Sequence, residues 1–593
     1  MDWTLASYFP TFDGPELKAH KADLTARLSE LTTAIAANSP LTLDVLEPWE
    51  AITEGYEAVL TRFGHYSSYV GCLVAADALN EGYQAEEGRM ADYGAEVEKV
   101  AIALKLALAE ATDETVDALL ARSGVKTNAY FFQTLRAEAI HRMSSGEESL
   151  AADLSVDGIH AWSRFYNVHT GRLKFTMSEP DGSTRVVPFS QRNSLIAHAN
   201  RYVRKAAFTG ANTALEQQEH LFAAALNAIA GTRLKLNARR NLPHFLDTSL
   251  LQSRLSRASL DAMFQAIEDT IEIPRAMLRW RAAKLGQPGI TYFDLQGPLD
   301  LPEQHPIGWH EAVAITTEAF TSAYPALGAY FADFIKKQWI DYTPRDGKRP
   351  GGFCTGSEFI NEQRIFMTYN NVVNDLMTLA HEAGHAWHSQ LLTATRPLAR
   401  LYPMTLAETA STFAELLLTE GVLRSDKLGA GAKAALLDSQ VRHAAVFLTD
   451  LPVRYLFEKR FYEERANGEV SASRLKEIMV QTQRAHFGDC LAPDGEDPYF
   501  WASKMHFYIS DVQFYNYPYT FGYLLSASLF ARFKAEGSSF LADYEKLLMA
   551  TGSGSCETVV QNSLGEDITQ PAFWTRAILS LETPFAALRE LAK

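Results

Sequence analysis

Cysteine is scarce in this chain of 593 residues. The four present, Cys72, Cys354, Cys490 and Cys556, are scattered and form no Cys-x-x-Cys pair. This excludes a disulfide framework and a zinc ribbon, and points to reduced thiols in a reducing compartment. Basic charge is also short. Lys and Arg number 55 against 71 Asp and Glu, a net charge of −16. No basic stripe is present, so the chain is not read as a nucleic-acid binder. Long apolar runs are absent as well. The most apolar helical stretch, Val100 to Leu108, is broken by Lys105. It falls well short of the roughly 20 residues a bilayer span needs. The first residues, Met1-Asp2-Trp3-Thr4-Leu5-Ala6, have no basic and apolar leader pattern, and a cytoplasmic location without membrane attachment is expected. There is no internal repeat and no low-complexity tract, so a solenoid is not expected.

What is present is helical periodicity. Apolar residues recur at three- and four-residue steps over Glu16–Asn38, Leu41–Leu79, Ala85–Ala111, Thr115–Ser123, Phe131–Arg142 and Ser145–Leu154. The glycines of the second stretch read as interruptions. The character then changes. Leu173–Met177 and Thr184–Phe189, separated by Glu179-Pro180-Asp181-Gly182-Ser183, predict a β-hairpin. Helical pattern resumes over Ser190–Phe208 and continues to about Leu285. A soft boundary near 190 divides the chain into an N-terminal helical region, 1–190, and a second domain, 191–593, which carries the motif described next. Residues 286–310 read as loop, with Gly286, Pro288, Gly289, Gly297, Pro298, Pro302 and Pro306, around a short strand at Ile290–Leu295. After a helix at Trp309–Ile335, the Gly/Pro-rich Tyr342–Gly356 leads to a strand at Arg364–Asn370. The fold class is mainly α with a small β-sheet.

Directly after that strand comes Leu376-Met377-Thr378-Leu379-Ala380-His381-Glu382-Ala383-Gly384-His385-Ala386-Trp387-His388. On a helix, His381 and His385 project from nearly one face, one turn apart, and can share a zinc ion. Glu382 beside them can handle the protons of a water on that metal. Asn371 is the expected N-cap. Leu376, Ala380, Ala383 and Trp387 make an apolar face, and Met377, His381, His385 and His388 a second one. Gly384 is unfavourable in a helix by about 1 kcal/mol relative to Ala and predicts close approach by another backbone.

A hydrolytic zinc needs a third protein ligand and an open position. Six residues past His385 stands Leu391, and 19 and 20 residues past it stand Met404 and Thr405, none of them a ligand for this purpose. Glu408, 23 residues on, is the first suitable carboxylate. It lies in a second expected helix, capped by Thr405. Glu415, seven residues later on the same face, can hydrogen-bond a ligand histidine; the alternative is two solvated helix glutamates.

His-Glu-x-Gly-His-x-x-His, preceded by Thr378-Leu379-Ala380 and followed by Glu408-Thr409-Ala410-Ser411-Thr412-Phe413, resembles the thimet-oligopeptidase-like zinc peptidases, most closely their oligoendopeptidase F branch. Arg364–Asn370, Arg349-Pro350-Gly351-Gly352-Phe353 and the segment from His506-Phe507-Tyr508 to Tyr523 are similar to that family's as well. The resemblance implies a large helical zincin with a deep central channel, one Zn2+ per chain, and short unstructured peptides as substrates. Zinc on His381, His385 and Glu408 with Glu382 as general base is the expected machinery. Oxyanion donors are expected from His506, Tyr515 and Tyr519, with Tyr517 and Tyr523 as further candidates. Tyr515, Tyr519 and Tyr523 share a face if helical, although Pro518 breaks the hydrogen-bond pattern. His388 is read as touching ligands or substrate, or as structural. A zinc carboxypeptidase of similar helical design, or a catalytically silent peptide-binding protein, is the competing reading. The intact Glu382 speaks against the silent one.

Overall fold

The computed structural model describes residues 1–301 and 305–593; residues 302–304, which include Pro302 of the expected loop, lie outside the described residues. Helix dominates, as the periodicity predicts. Pro15 opens the first helix, Pro15–Ala37, where its missing N–H costs nothing. The second runs unbroken over Leu46–Ala76. Its glycines do not interrupt it, because Trp49, Tyr56, Tyr66 and Tyr69 are all buried and offset the roughly 1 kcal/mol that each helical glycine costs. Asn80 caps the third helix, Glu81–Glu110, by accepting a hydrogen bond from Tyr83 N at 3.2 Å. Leu24, Leu28, Trp49, Val59, Val100 and Leu104 form the core of these three helices.

The described chain divides into two compact units assembled from separated stretches. One comprises Met1–Ile140, Gln304–Leu436 and Ser526–Asp567; the other His141–Glu303, Leu437–Leu525 and Ile568–Lys593. This grouping cuts across the sequence division at 190. The reason lies in the cores: the N-terminal helices share theirs with Phe366 and Leu398, far along the chain.

The first unit holds a three-stranded sheet ordered β3-β5-β4, with β3 Ile340–Asp341, β4 Phe353–Ser357 and β5 Glu362–Phe366. The central strand β5 pairs in parallel with β3 and antiparallel with β4. It is shorter than the Arg364–Asn370 expected, and part of the Gly/Pro-rich stretch before it is strand. Arg364, fully buried in β5, donates to Thr4 O (2.9 Å), Ser7 Oγ (2.8 Å) and Glu362 Oε2 (2.8 Å). Its guanidinium lies over the rings of Trp339 and Tyr8. The first residues of the chain are thereby fastened to the sheet.

The second unit contains the expected hairpin, β1 Lys174–Ser178 and β2 Thr184–Pro188, antiparallel. Gly182 takes its positive φ of 83° in the turn. The hairpin seats on the helix Arg201–Glu216 at Gly210, where any Cβ would stand 2.1 Å from Thr176 O. Ile290–Leu295 is not a strand. It makes a single bridge, Ile290 to Leu491, and then folds into turns around Asp294. The cause is electrostatic. The fully buried Asp294 collects Arg204 Nη2 (2.8 Å), Arg201 Nη2 (2.8 Å) and Thr291 Oγ1 (2.8 Å), which an extended backbone could not bring to one carboxylate. Asp294→Ala leaves the buried Arg204 without its counter-charge. It should lower stability by about 3–5 kcal/mol in denaturant unfolding; a loss under about 1 kcal/mol would show that water replaces the pair.

Candidate metal and catalytic site

The motif helix spans Val373–Leu392. Asn371 is not its cap; it sits one residue further out with φ 64°. Asp375 performs the capping from inside the first turn, its Oδ2 accepting from Asn370 N (2.6 Å) and Val372 N (3.2 Å). A carboxylate there also suits the positive end of the helix dipole. Leu376, Ala380, Ala383 and Trp387 are buried, as the periodicity requires.

Gly384 meets the close approach its presence predicts. A Cβ added to it would lie 2.5 Å from Ala410 O and 2.7 Å from Ser411 Cα. Those atoms belong to the helix Thr409–Arg424. The expected continuous helix from Thr405 is broken: Met404–Ala407 and Thr409–Arg424 are separate helices with Glu408 at the junction. Thr405 caps neither; its hydroxyl stands 3.3 Å from Cys556 Sγ. The break turns Glu408 towards the histidines. Ser411 Oγ donates to Glu408 Oε2 at 2.8 Å, and Ser526 Oγ donates to Glu408 O at 3.2 Å.

Three ligand atoms meet. His381 Nε2 is 3.2 Å from His385 Nε2 and 3.3 Å from Glu408 Oε2, and His385 Nε2 is 3.5 Å from the same oxygen. Among the described residues these three form the one group of His, Cys, Asp or Glu able to hold a metal ion. The triangle fits zinc. Four tetrahedral ligands at about 2.0–2.1 Å stand about 3.3–3.4 Å from one another. His381 Nδ1 donates to Glu415 Oε1 at 2.6 Å. A carboxylate only accepts, so Nδ1 carries the proton and the Nε2 lone pair faces the centre. Without a metal the charges are awkward. Burial opposes the charged form of His381, but the Glu415 hydrogen bond and the charges of Glu415, Glu408 and Glu382 outweigh it and raise its pKa to about 9. Burial and the adjacent His381 hold His385 below its ordinary value. A cation in the triangle satisfies all three lone pairs at once.

Glu382 is buried, and its Oε2 has no hydrogen-bond partner. Burial raises its pKa to about 7, with His381 opposing and Glu408 and Glu415 assisting. The Gly-rich segment passes against it: a Cβ on Gly352 would lie 3.4 Å from Glu382 Oε1. His388 resolves as structural. It is fully buried, its Nε2 reaches Leu548 O (3.1 Å) and Thr551 Oγ1 (3.0 Å), and its ring stacks on Tyr402.

The triangle and Glu382 lie in the first unit; the histidine- and tyrosine-rich segment lies in the second. There His506, Tyr515 and Tyr519 cluster. The His506 and Tyr515 rings stack at 5.7 Å, and Tyr519 stands edge-on to both at 6.4 and 5.3 Å. Tyr515 precedes the helix Tyr517–Glu536, and Pro518 sits in its first turn, where the lost N–H is harmless. The face argument therefore applies to Tyr519 and Tyr523 only. Tyr523 is buried and stacks on Phe447 at 4.6 Å. Tyr517 is fully buried and bonds Ser253 Oγ (2.8 Å) and Ser249 O (3.1 Å), a core role.

Two residues that the motif analysis missed hold this segment. Arg233 Nη2 donates to Ser510 O (3.2 Å) and Val512 O (2.7 Å) as well as to Ile509 O. Glu458 Oε1 accepts from Phe514 N at 3.1 Å, where the backbone takes φ 53°. The signal for Arg233 was a charge inside the apolar stretch Leu221–Leu236.

Two variants follow from this packing. Gly384→Ala should wedge the two ligand-bearing helices apart and weaken metal binding at least about tenfold, about 1.4 kcal/mol. Glu415→Ala should weaken it about 10–100-fold by freeing the His381 ring. Competition against a zinc chelator measures both, and unchanged affinity would show that the helix contact and the hydrogen bond are dispensable.

The family description "Peptidase family M3" matches residues 324–579, and "Oligopeptidase F" matches residues 108–175. Oligopeptidase PepF of Bacillus subtilis is 24% identical over 99% of this chain and 87% of its own length. The plasmid oligoendopeptidase F of Lactococcus lactis subsp. cremoris is 24% identical over 100% and 97%. Among solved structures, a protein of Chlamydophila abortus superposes with a TM-score of 0.85 at 18% identity, covering 99% of this chain and 98% of that one. Oligoendopeptidase-F of Enterococcus faecium gives 0.69 at 20%, covering 96% and 99%. The first match contains the motif helix and Glu408, the second lies upstream of it, and the chain is a metalloendopeptidase of peptidase family M3, oligoendopeptidase F type.

Proposed function

We propose that this chain is a zinc-dependent oligoendopeptidase that hydrolyses internal bonds of short, unstructured peptides. One observation carries the reading: three ligand atoms at 3.2, 3.3 and 3.5 Å from one another, with a buried carboxyl of raised pKa on the same helix. His381, His385 and Glu408 would hold the ion, which supplies Lewis acidity and lowers the pKa of water in an open position. Glu382 takes the proton of the attacking water on Oε2 and passes it to the leaving amine. Burial and an unpartnered Oε2 suit it to both steps. Glu415 fixes the His381 tautomer. Tyr515 and Tyr519, with His506, offer O–H and N–H donors to the charge that develops on the scissile carbonyl oxygen. The names oligoendopeptidase and oligopeptidase carried by the relatives support short peptides as substrates. None of the described helices is long and apolar enough to cross a membrane. All four cysteines are free, which supports a reducing, cytoplasmic setting.

Incubation of the zinc-loaded protein with a quenched peptide of about ten residues, followed by mass spectrometry, should show internal cleavage. Release of single terminal residues would favour an exopeptidase. Chelation should abolish turnover and zinc restore it. Glu382→Gln should lose about 10²–10⁴-fold in kcat while keeping its metal; an active variant would sink the assignment of the base.

A further inference from the structure

A second group of charged residues begins two positions before His506. Lys504 places its Nζ over the ring of Phe500 at 4.7 Å, and Arg454 places its guanidinium on the same ring at 5.2 Å. Two cations on one buried aromatic ring repel each other, and cation–π attraction compensates only in part. The carboxylates nearby are paired with arginines, although Asp450 Oδ1 keeps no hydrogen-bond partner. Asp450 binds Arg454. Asp497 binds Arg192 at 2.8 Å and accepts from Asn212 Nδ2 at 2.9 Å and Tyr499 N at 3.1 Å. Lys504 itself makes no hydrogen bond and no ion pair among the described residues. The charged groups that act on it are Arg454, Arg192, Asp450 and Asp497. With Lys504 protonated, three cations (Arg454, Arg192 and Lys504) face two carboxylates (Asp450 and Asp497), one positive charge in excess.

The same place also holds spare hydrogen-bond capacity. Arg454 Nε, His506 Nδ1 and the Nδ2 of the fully buried Asn516 are buried with no partner. Arg454 Nη1 stands 3.5 Å from Asn516 Oδ1, so these groups are neighbours. His506 feels both Arg454 and Lys504 as nearby charges. Native proteins rarely leave so many buried polar atoms idle in one region. Burial and Arg454 push the Lys504 pKa down to about 7, the direction expected of a cation that waits for its counter-ion.

We propose that Lys504, with Arg454 and His506, forms a carboxylate-binding subsite that grips an anionic group of the peptide substrate. The excess of one charge selects a monoanion, and the donors around it match the two oxygens of a carboxylate. The inference rests on the reading of the chain as a peptidase, in which the segment carrying His506 and Tyr515 faces substrate. The carboxylate has two sources in a peptide, its free C-terminus or an Asp or Glu side chain.

Three fluorescent peptides of one sequence separate these sources: a free C-terminal acid, the C-terminal amide, and the amide with Glu in place of one Gln. Their Kd values are measured by anisotropy on zinc-loaded Glu382→Gln protein, whose turnover is slow enough for binding to be read before cleavage. The acid, or the Glu-containing amide, should bind about tenfold tighter than the plain amide, and whichever does so names the source. In the Glu382→Gln/Lys504→Met protein that ratio should fall to about 1, whatever the absolute affinities. Thermal unfolding checks that this variant is folded, and Lys504→Gln replaces it if it is not. Equal Kd values for all three peptides in the parent protein, or a tenfold ratio that survives loss of Lys504, overturns the proposal. Cleavage of the plain amide by the wild-type enzyme is scored separately, so failure of the subsite and failure of the peptidase reading give different results.

Discussion

The metal site depends on one steric fact: the absence of a side chain at Gly384. Helices pack at 8–10 Å between axes, the spacing set by the residues at the crossing. With only hydrogen at 384, the backbone of Ala410 and Ser411 comes into contact with the motif helix. Glu408, just before them, is then within reach of His381 and His385, and Glu415 reaches the far nitrogen of His381. Glu415 holds the His381 ring by its far nitrogen, and Glu408 brings a third ligand atom beside its Nε2. A glycine that is poor for an isolated helix is good for this pair, because the tertiary contact outweighs local propensity.

The chemistry of Glu382 follows from the same packing. Its neighbours on either side are a ligand histidine and Ala383, which is buried. Its carboxyl is therefore carried below the surface with one oxygen unpartnered. An unpaired buried carboxyl is costly in a purely structural role, and its persistence beside a histidine pair is what sets this glutamate apart from the many solvated ones in an acidic chain. His388 shows the contrast. It shares the motif face, yet it spends its imidazole on Leu548 and Thr551 and anchors the helix instead of facing the reaction.

Much of this was legible in the sequence. The pairing of His381 with His385 depends on helical geometry, which a single segment encodes; Glu408 and Gly384 were legible as a spaced carboxylate and as a glycine out of place in a helix. The hairpin around Pro180-Asp181-Gly182 was legible because turn chemistry is local too. What escaped depended on distant partners. Asn371 looks like a cap until Asp375 satisfies the same N–H groups from inside the helix. Thr405 looks like a cap until the chain breaks at Glu408. Ile290–Leu295 looks like a strand until two arginines nearly a hundred residues earlier draw Asp294 into a turn. Tyr517 stands in a row of candidate donors, and only its bonds to Ser249 and Ser253 remove it. Arg233 and Glu458 belong to no motif, since their work is to hold the backbone between residues that do.

Arg364 has a consequence for how the protein is made. It binds Thr4 across 360 positions of sequence, and the Asp2 carboxylate likewise accepts from Tyr342 N and Thr343 N. The segment Asp2–Phe9 leaves the ribosome about 360 residues ahead of these partners. At about 5–20 residues per second, it waits about 20–70 s for β5 to be synthesised. During that interval Trp3, Leu5, Tyr8 and Phe9, all buried in the finished unit, have no sheet to cover them. A nascent chain of this kind offers an apolar segment to chaperones over that interval, and the motif helix, which follows β5, is translated only after that segment has a place to go.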